Sequence, residues 1–423
     1  MNDYDFDEDE IFEKVPYDEV PINRGTSFGA HQRSRFSTHK ESRGSSSGRA
    51  PSRWQTLLIS FLIIINLAFG GVMVTLINRL NKPTAINNLD VKINSVVASD
   101  ILNAATKAKF SAVCVNVGNR RISTITEFYN SLASRGSGVF IDVDKETGNG
   151  YVLTCYHVVQ SYPYIYVLPF AGSEPIQATL INYSYSYDIA LLKIENSAAL
   201  QNSLAVACEI ADSSSLVEGQ TAIAIGNALN SGLSVTSGII SSTVNFINVS
   251  NNSNMRVIKV DTAINSGNSG GGLFDINGKL IGIVNAKQMS SEIDNVAFAI
   301  PSNLAIGIGN SIKHYGSGKS PNYAVLGVLL AEDTNSTTID STTGAVVNSI
   351  YVTQAYGSAY SAGIQENDVL VSITYGSKTV EIKGLYDIID HMYNVFVGDT
   401  VNVTVNRGGS ILNFEVVITT ISQ

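Results

Sequence analysis

The feature of this 423-residue chain that most constrains its fold is a series of short apolar runs rich in β-branched residues. The runs are separated by Gly, Asn and Ser and begin near residue 110. They read AVCVNV, GSGVFID, GYVLTCYHVV, YIYVL, IALLKI, TAIAIG, RVIKVDTAI and KLIGIVNA. Short β-branched segments bounded by turn residues are typical of strands in barrels and sandwiches. A parallel α/β fold would need helices alternating with strands, and the sequence lacks that rhythm, so it predicts a mainly β fold.

The composition excludes several other classes of protein. Hydrophobic residues make up 44% of the chain and charged residues only 15%, against roughly 25% charged residues in an average soluble protein. Collagen-like, coiled-coil and wholly disordered chains are therefore excluded. The net charge of −9 gives no indication of a protein that coats nucleic acid, so we predict no nucleic-acid partner.

Cysteine use and motif content argue against a disulfide framework or a metal-dependent protein. The three cysteines, Cys114, Cys155 and Cys208, are odd in number and too few for a disulfide framework. Each lies in an apolar, strand-like context and is interpreted as a buried small hydrophobe. The sequence contains no HExxH, paired CxxC or EF-hand pattern, so we predict no metal site and no cofactor.

The N-terminal part of the chain consists of two oppositely charged blocks. Residues 1–20 hold nine acids and one base, and residues 21–53 hold seven bases and one acid among many Ser and Gly residues. Such a composition cannot collapse around an apolar core. Residues 1–53 are therefore predicted to form a disordered tail.

A segment without charged residues follows at residues 54–78. As a helix it would reach roughly 37 Å, enough to cross a hydrocarbon core of about 30 Å. A cleaved secretory signal is the alternative, but such signals begin near residue 1 and have a shorter apolar stretch. The sequence thus predicts one transmembrane helix in contact with membrane lipid. Because the basic excess precedes this helix, the tail is predicted to be cytoplasmic and the rest of the chain extracytoplasmic.

The remaining chain divides into two predicted compact units. Residues 79–108, with many Asn and Ser and a weak helical pattern from Val96 to Ala105, are predicted to form a stalk. Residues 109–312 contain the β-rich first unit. The stretch at 313–322 is loaded with Gly, Ser and Pro and is interpreted as a linker. Residues 323–423 are predicted to form the second unit.

Three side chains of the first unit could together perform nucleophilic acyl transfer. His157 follows an apolar run in YVLTCYHVVQ, Asp188 precedes another in SYSYDIALLKI, and Ser269 lies in DTAINSGNSGGGLFD. This chemistry needs a hydroxyl, a base that activates it and a buried acid that orients the base. Each residue also has a simpler interpretation, because a histidine near a strand end is often structural and an Asp before a strand is often a turn residue.

The glycines around Ser269 bear on the role of this serine. Gly267 and the glycines at 270–272 let the backbone adopt positive φ angles, so that amide N–H groups can converge beside the hydroxyl as in an oxyanion hole. The alternatives are a glycine-rich hairpin and a phosphate-binding loop. The phosphate-binding loop requires GxxxxGK[ST], and no lysine follows the glycines here.

Taken together, the motifs of the first unit resemble those of the HtrA/DegP-type trypsin-like serine proteases along residues 110–305. They occur in the order of that family: GSGVFI, GYVLTCYHVV, YDIALLKI, VEGQTAIAIGNAL, TSGIISS, DTAINSGNSGGGLFD, GKLIGIV and VAFAIPSN. The resemblance implies a mainly β, chymotrypsin-like double β-barrel. It also implies that His157 is the general base, that Asp188 orients it and that Ser269 is the nucleophile.

The resemblance extends to the surroundings of the nucleophile. It implies an oxyanion hole formed by the N–H groups of Gly267, Asn268 and Ser269. Ile264 matches the family position that lines the primary specificity pocket. An apolar residue at that position implies a preference for small aliphatic side chains at the cleaved bond.

Two positions beside the nucleophile depart from the family pattern. The family usually has proline where this chain has Ser266 and Gly272. These departures concern loop stiffness and activation more than the chemical step. Because they could leave the oxyanion loop collapsed, a catalytically silent, chaperone-like binding protein is a second interpretation.

The second unit resembles a PDZ domain of the same family. The segment AGIQENDVLVSI corresponds to a motif of that domain, and a helix is predicted within KGLYDIIDHMYNVF. The resemblance implies a peptide groove between this helix and the strand after the loop formed by Val325, Leu326, Gly327 and Val328. Backbone amides of the loop would hold a C-terminal carboxylate, while the strand edge adds main-chain hydrogen bonds. His391 could face this groove, but it is interpreted as an exposed histidine of the helix.

These features together predict a membrane-anchored serine endopeptidase that faces away from the cytoplasm. Its partners would be unfolded or damaged polypeptides at the triad and exposed C-terminal or extended peptides at the PDZ domain. A PDZ-gated protease that cleaves one signalling partner is an alternative that the sequence does not distinguish from a general quality-control protease. The family favours homotrimers, and no residue pattern in this sequence identifies a subunit interface.

Overall fold

The computed structural model describes most of the chain beyond residue 98. The described residues are 54, 99–130, 134–250, 253–286, 296–321, 324–339 and 346–420. The predicted tail and, apart from Trp54, the predicted membrane span at 54–78 lie outside them. Among the residues that the structure describes, no helix is both long and apolar enough to cross a membrane.

The first of two closed β-barrels is antiparallel and has six strands in the order β1-β2-β3-β6-β5-β4. The strands are β1 (Ala112–Gly118), β2 (Ser134–Asp144), β3 (Asn149–Cys155), β4 (Tyr164–Pro169), β5 (Ile176–Ser184) and β6 (Ile189–Ile194). Pairing of β3 with β6 is important for the site, because it brings the chain just after β3 beside the chain just before β6.

The second closed barrel follows directly and has the strand order β10-β11-β12-β9-β8-β7. Its strands are β7 (Thr221–Gly226), β8 (Ser234–Ser250), β9 (Ser253–Val260), β10 (Gly272–Phe274), β11 (Leu280–Asn285) and β12 (Ala297–Pro301). The prediction of a mainly β fold with a chymotrypsin-like double barrel is confirmed.

Helices connect and cover the barrels. They are α1 (99–109), α2 (Ile125–Asn130), α3 (Tyr156–Val159), α4 (Ala198–Asn202) and α5 (Ser302–Tyr315), with 3₁₀ turns at Ser213–Ser215, Ala228–Asn230 and Gly316–Gly318. Alanines of α1 are buried in the main core, so this part of the predicted stalk packs on the barrels instead of standing apart. Helix α5 continues into the first residues of the predicted linker.

The core explains why the strand before the site is almost wholly apolar. Five of the six residues of β6 are buried, because the strand faces the barrel interior on one side and α5 on the other. Leu191 and Leu192 of β6 belong to the same buried cluster as Leu304 and Ile308 of α5. Burial of each such side chain contributes about 1.5–3 kcal/mol, so Asp188 precedes a firmly held strand.

The C-terminal unit contains a six-stranded antiparallel sheet, in which five strands have the order β14-β15-β16-β18-β19 and β17 pairs with β16, and a separate two-stranded sheet of β13 and β20. Its elements are β13 (Ala324–Val325), β14 (Val328–Ile339), β15 (Val346–Ala355), α6 (Gly357–Ala362), β16 (Val369–Tyr375), β17 (Lys378–Glu381), α7 (Leu385–Met392), β18 (Thr400–Arg407), β19 (Ser410–Val417) and β20 (Thr419–Thr420). Among the described strands, β14 lies at the sheet edge.

Candidate active site

The first part of the candidate active site is the pair formed by His157 and Asp188. His157 lies on α3, which follows β3 without a gap, and Asp188 lies immediately before β6. The Nδ1 atom of His157 and the Oδ2 atom of Asp188 are 2.5 Å apart. The backbone N–H of His157 also donates to Oδ1 of Asp188 at 2.9 Å. The carboxylate therefore holds both the ring and the backbone of the histidine.

Asp188 is fixed by further contacts. Its backbone has a φ of +51°, a conformation that few residues other than glycine adopt without cost. Its carbonyl accepts a hydrogen bond from the N–H of Tyr156 at 3.0 Å. The side-chain amide of Asn285, at the end of β11, donates to Oδ2 at 3.0 Å. Sequence reasoning missed Asn285, although a buried polar residue that ends an apolar strand is a usable signal.

Ser269 lies in the turn between β9 and β10, close to this pair. Its Oγ accepts a hydrogen bond from the N–H of Ala286 at 3.3 Å. Asn285 contacts Asp188 and the next residue, Ala286, contacts Ser269, so the three predicted side chains meet at one place. Within the described residues no hydrogen bond joins His157 to Ser269, an arrangement common in sites without substrate.

The predicted oxyanion hole has two of its three expected donors available. Among the described residues, the backbone N–H groups of Gly267 and Ser269 donate to no acceptor. The N–H of Asn268 instead donates to the carbonyl of Asn265 at 3.0 Å. This bond closes the tight turn before Ser269. In this conformation the Asn268 amide is therefore occupied and, contrary to the prediction, does not serve as an oxyanion donor.

Ser137 of β2 connects the serine turn to the first barrel. Its hydroxyl donates to the carbonyl of Gly267 at 2.7 Å and accepts from the N–H of Asn227 at 2.8 Å. Its own N–H donates to the carbonyl of Ser269 at 2.8 Å. Ser137 is fully buried, and its three bonds position the turn from which the Ser269 hydroxyl projects. Sequence reasoning missed this role, because it depends on contact between two barrels.

Ile264, Gly272 and Ser266, the other residues singled out near the serine, each have defined contacts in the structure. Ile264 is buried and packs with the apolar cluster of the second barrel, and its role in a specificity pocket stays a prediction. At Gly272 an added Cβ would lie 2.3 Å from the ring of Phe274, which explains why a residue without a side chain occupies this position. The carbonyl of Ser266 accepts from the N–H of Leu229 at 3.0 Å.

The four residues of the predicted PDZ loop join β13 to β14. Val325 ends β13, Leu326 is buried in the core of the C-terminal unit, and Val328 begins β14. Gly327 has a φ of +87°, and a Cβ there would lie 2.6 Å from the carbonyl oxygen of Tyr356, so the turn requires glycine. These residues thus lie together at the start of the edge strand, and their role beside a peptide groove stays a prediction.

The prediction that His391 is an exposed helical residue is wrong. Only 4% of its surface is exposed, because α7 packs against α5 of the barrel unit and buries this side of the helix. The Tyr375 hydroxyl lies 3.4 Å from Nδ1 of His391. Burial lowers the pKa of His391 to about 4. The residue is therefore a neutral component of the contact between the two folded units near neutral pH.

The arrangement around Ser269 can perform acyl transfer to a serine hydroxyl. It combines a hydroxyl, an imidazole held by a buried carboxylate and two unoccupied backbone donors, which are the components that this reaction requires. No step of this chemistry needs a metal or an organic cofactor.

Comparison with known proteins agrees with this fold. Residues 136–283 match the trypsin-like peptidase domain family, and residues 324–418 match the PDZ domain family. The chain is 32% identical to the serine protease Do-like HtrA of Lactobacillus helveticus over 82% of this chain and 78% of that protein. It is 36% identical to the periplasmic serine endoprotease DegP of Escherichia coli K12 over 56% of this chain and 48% of that protein.

A solved structure of the HtrA-type protease AlgW with a tripeptide is also similar. It is 25% identical, has a TM-score of 0.50, and the similarity covers 76% of this chain and 98% of that one. Fold, site and sequence thus define a trypsin-like serine endopeptidase joined to a PDZ domain. The chain belongs to the HtrA/DegP family of serine proteases.

Proposed function

We propose that this protein is a membrane-anchored, extracytoplasmic endopeptidase that cleaves unfolded or damaged polypeptides through His157, Asp188 and Ser269. The observation that carries the proposal is the 2.5 Å contact between His157 and Asp188 beside the glycine-rich turn of Ser269. A paired imidazole and carboxylate next to a serine is the arrangement that makes a hydroxyl nucleophilic.

The reaction follows from the positions of these groups. Oγ of Ser269 attacks the carbonyl carbon of the peptide bond while Nε2 of His157 takes the hydroxyl proton, and Asp188 stabilises the resulting imidazolium. The amides of Gly267 and Ser269 donate to the oxyanion. His157 then gives its proton to the departing amine, which leaves an acyl-enzyme. Water attacks the acyl group with His157 again as base and releases the acid product.

Three observations support peptide binding by the C-terminal unit. The edge strand β14 lies beside α7, and an extended peptide can add to such an edge through main-chain hydrogen bonds. A cavity of about 260 Å³ is lined by Ala324, the residue before the loop at 325–328, by residues of α7 such as Ile388 and Met392, and by Tyr187 and Pro321 from outside the C-terminal unit. The related protease AlgW was solved with a tripeptide. We propose that an exposed chain end binds here with its carboxylate at the loop.

The location and substrate class belong to the same proposal. The uncharged segment at 54–78 would anchor the chain, with the basic residues before it on the cytoplasmic side. The relative DegP is named as periplasmic, which supports an extracytoplasmic protease domain. Ile264 occupies the family position that lines the primary specificity pocket, and its apolar side chain implies a preference for small aliphatic side chains at the cleaved bond. A homotrimer is also proposed on the family resemblance.

The proposal is tested with the full-length chain and its Ser269→Ala variant. We expect the variant to cleave unfolded casein at least about 10⁴-fold more slowly, because the nucleophile is lost while the small buried side chain leaves packing nearly unchanged. A fluorophosphonate probe should label the wild-type protein and not the variant.

Ser241→Ala provides the matched control, since Ser241 is exposed on β8 and contacts none of the proposed catalytic groups. It should retain both labelling and casein cleavage. Equal cleavage by the wild type and Ser269→Ala would overturn the proposed nucleophile. Absence of labelling in the wild type would favour a silent, chaperone-like protein.

A further inference from the structure

We propose that Cys155, together with His157 and Asp188, forms an inhibitory binding site for a thiophilic divalent cation such as Zn²⁺. The thiol, one imidazole nitrogen and one carboxylate oxygen of these residues all lie within 4.8 Å of one another. Metal binding itself does not depend on the catalytic role of Ser269, whereas the inhibitory effect rests on the proposed function.

The barrel topology brings the three groups together. Cys155 is the last residue of β3 and lies two residues before His157. In the antiparallel pairing of β3 with β6, Cys155 is directly opposite Ile189, the residue that follows Asp188. Cysteine thus occupies the barrel position that adjoins both members of the pair. The register makes this proximity a property of the fold and not of a mobile loop.

The donor set suits zinc. Thiolate sulfur, imidazole nitrogen and carboxylate oxygen are its usual protein ligands, at about 2.3, 2.0–2.1 and 2.0–2.2 Å. In a tetrahedral site such ligands lie roughly 3.5 Å apart, so the present cluster would need to adjust by about 1 Å. The thiol of Cys155 presently lies 3.4 Å from the Val284 carbonyl oxygen, and this weak hydrogen bond is one of the contacts that metal binding would replace.

The site also offers access and an open coordination position. The side chain of His157 is 19% exposed, while Cys155 and Asp188 are buried behind it. A metal could therefore approach past the imidazole and be held on the inner side by the other two groups. Three protein ligands leave the fourth position to water, as in other open zinc sites.

Binding at this position would disable the histidine as a base. The metal takes Nδ1, so the single proton of the neutral ring must lie on Nε2, which then cannot accept the Ser269 proton. The metal also separates the ring from Oδ2 of Asp188. The thiol proton leaves to solvent, so one proton is released for each metal bound and no redox step is involved. Removal of the metal with a chelator restores the original pair.

The first test measures cleavage of a fluorogenic peptide by the full-length chain at buffered concentrations of free Zn²⁺. Rates of each variant are normalised to its own metal-free rate. We expect reversible inhibition of the wild type, with the half-inhibiting concentration at least about tenfold higher for Cys155→Ala. Cys114→Ala is the matched control, because Cys114 is equally buried in the same barrel but packs near Phe128. It should keep wild-type zinc sensitivity.

The second test needs no activity. Co²⁺ is added to the full-length Ser269→Ala variant, and a thiolate-to-cobalt charge-transfer absorption is expected. The band should vanish when the Cys155→Ala substitution is introduced into this variant, and it should persist when Cys114→Ala is introduced instead. Absence of this band, absence of zinc inhibition, or unchanged zinc inhibition in Cys155→Ala would each overturn the proposal. A Cys155-dependent band in a chain without peptidase activity would leave the metal site standing and the proposed function rejected.

Discussion

At the residue scale, the serine turn depends on the glycine that directly follows the nucleophile. Gly270, directly after Ser269, has a φ of +82°. A Cβ at this position would lie 2.2 Å from the carbonyl oxygen of Ser137 and 2.3 Å from Oγ1 of Thr154. Both atoms belong to the first barrel and are held by hydrogen bonds, so neither can move away cheaply. The turn and the barrel therefore fit only if residue 270 has no side chain.

We predict that Gly270→Ala lowers the free energy of unfolding by at least about 3 kcal/mol and the peptidase rate by at least tenfold. Left-handed backbone strain and a clash with backbone both contribute to the loss. Gly219→Ala is the control, because Gly219 has a φ of +85° and no atom within 4 Å of an added Cβ. It should cost about 1–2 kcal/mol through strain alone. Urea unfolding and peptide cleavage measure the two effects, and equal losses in both variants would contradict the packing argument.

At the scale of elements, the contact between β9 and α7 centres on a buried ion pair. Arg256 of β9 donates to the carboxylate of Asp390 on α7, and both side chains are almost completely buried. The guanidinium also lies 4.5 Å from the ring centre of Tyr386. Burial raises the pKa of Asp390 to about 6, although the nearby Arg256 opposes this shift. The carboxylate thus depends on its single cationic partner.

We predict that Arg256→Met destabilises the packing of α7 by about 3–5 kcal/mol, because it leaves a buried carboxylate without its counter-charge. The exposed pair formed by Lys313 and Asp142 provides the control, and Lys313→Met should cost less than about 1 kcal/mol. Hydrogen exchange of the α7 amides and urea unfolding measure both changes. A loss for Arg256→Met as small as that for Lys313→Met would show that the buried pair contributes little.

At the scale of the whole molecule, the barrel unit and the PDZ unit meet around His391. The groups that face this histidine are the Tyr375 hydroxyl, Lys378, Asp212 and Arg256. Desolvation is the main cause of its lowered pKa, and the two nearby cations act in the same direction, while Asp212 opposes them. Lys378 of the PDZ unit lies 3.6 Å from Asp212 of the barrel unit. The contact therefore favours a neutral imidazole.

We predict that His391 makes the folded chain progressively less stable as the pH decreases from about 6.5 towards about 4, and that this contribution is read as the difference between the wild type and His391→Gln, because the raised pKa of Asp390 acts in the opposite direction. An unfolded chain protonates His391 near 6.5, whereas the folded chain binds that proton only near 4, so acid favours unfolding within this window. Between pH 7.5 and pH 5 the loss due to His391 should be on the order of 2 kcal/mol. His391→Gln should remove it, whereas His314→Gln should not, because His314 is exposed. Urea unfolding at pH 7.5 and pH 5 measures the effect, and an unchanged pH dependence in His391→Gln would contradict it.

Much of the architecture was predictable because it depends on local patterns. Alternating β-branched runs and turn residues specify strands over a few positions, and the barrels follow from many such strands. The helix predicted within KGLYDIIDHMYNVF is α7, whose apolar spacing is also local. In contrast, the packing of α1 against the barrels was not predicted, because the pattern of a short alanine-rich helix does not specify the surface that it contacts.

The sequence by itself determined the mainly β class, the chain order of His157, Asp188 and Ser269, and the glycines that a tight turn requires, because each of these is written in adjacent residues. Only the tertiary structure decided that Asn285 and Ser137 support the site, that the Asn268 amide is occupied and that His391 is buried. Each of these depends on strand register or on packing between units, which bring together residues far apart in the chain. The same register places Cys155 beside the pair that it is proposed to regulate.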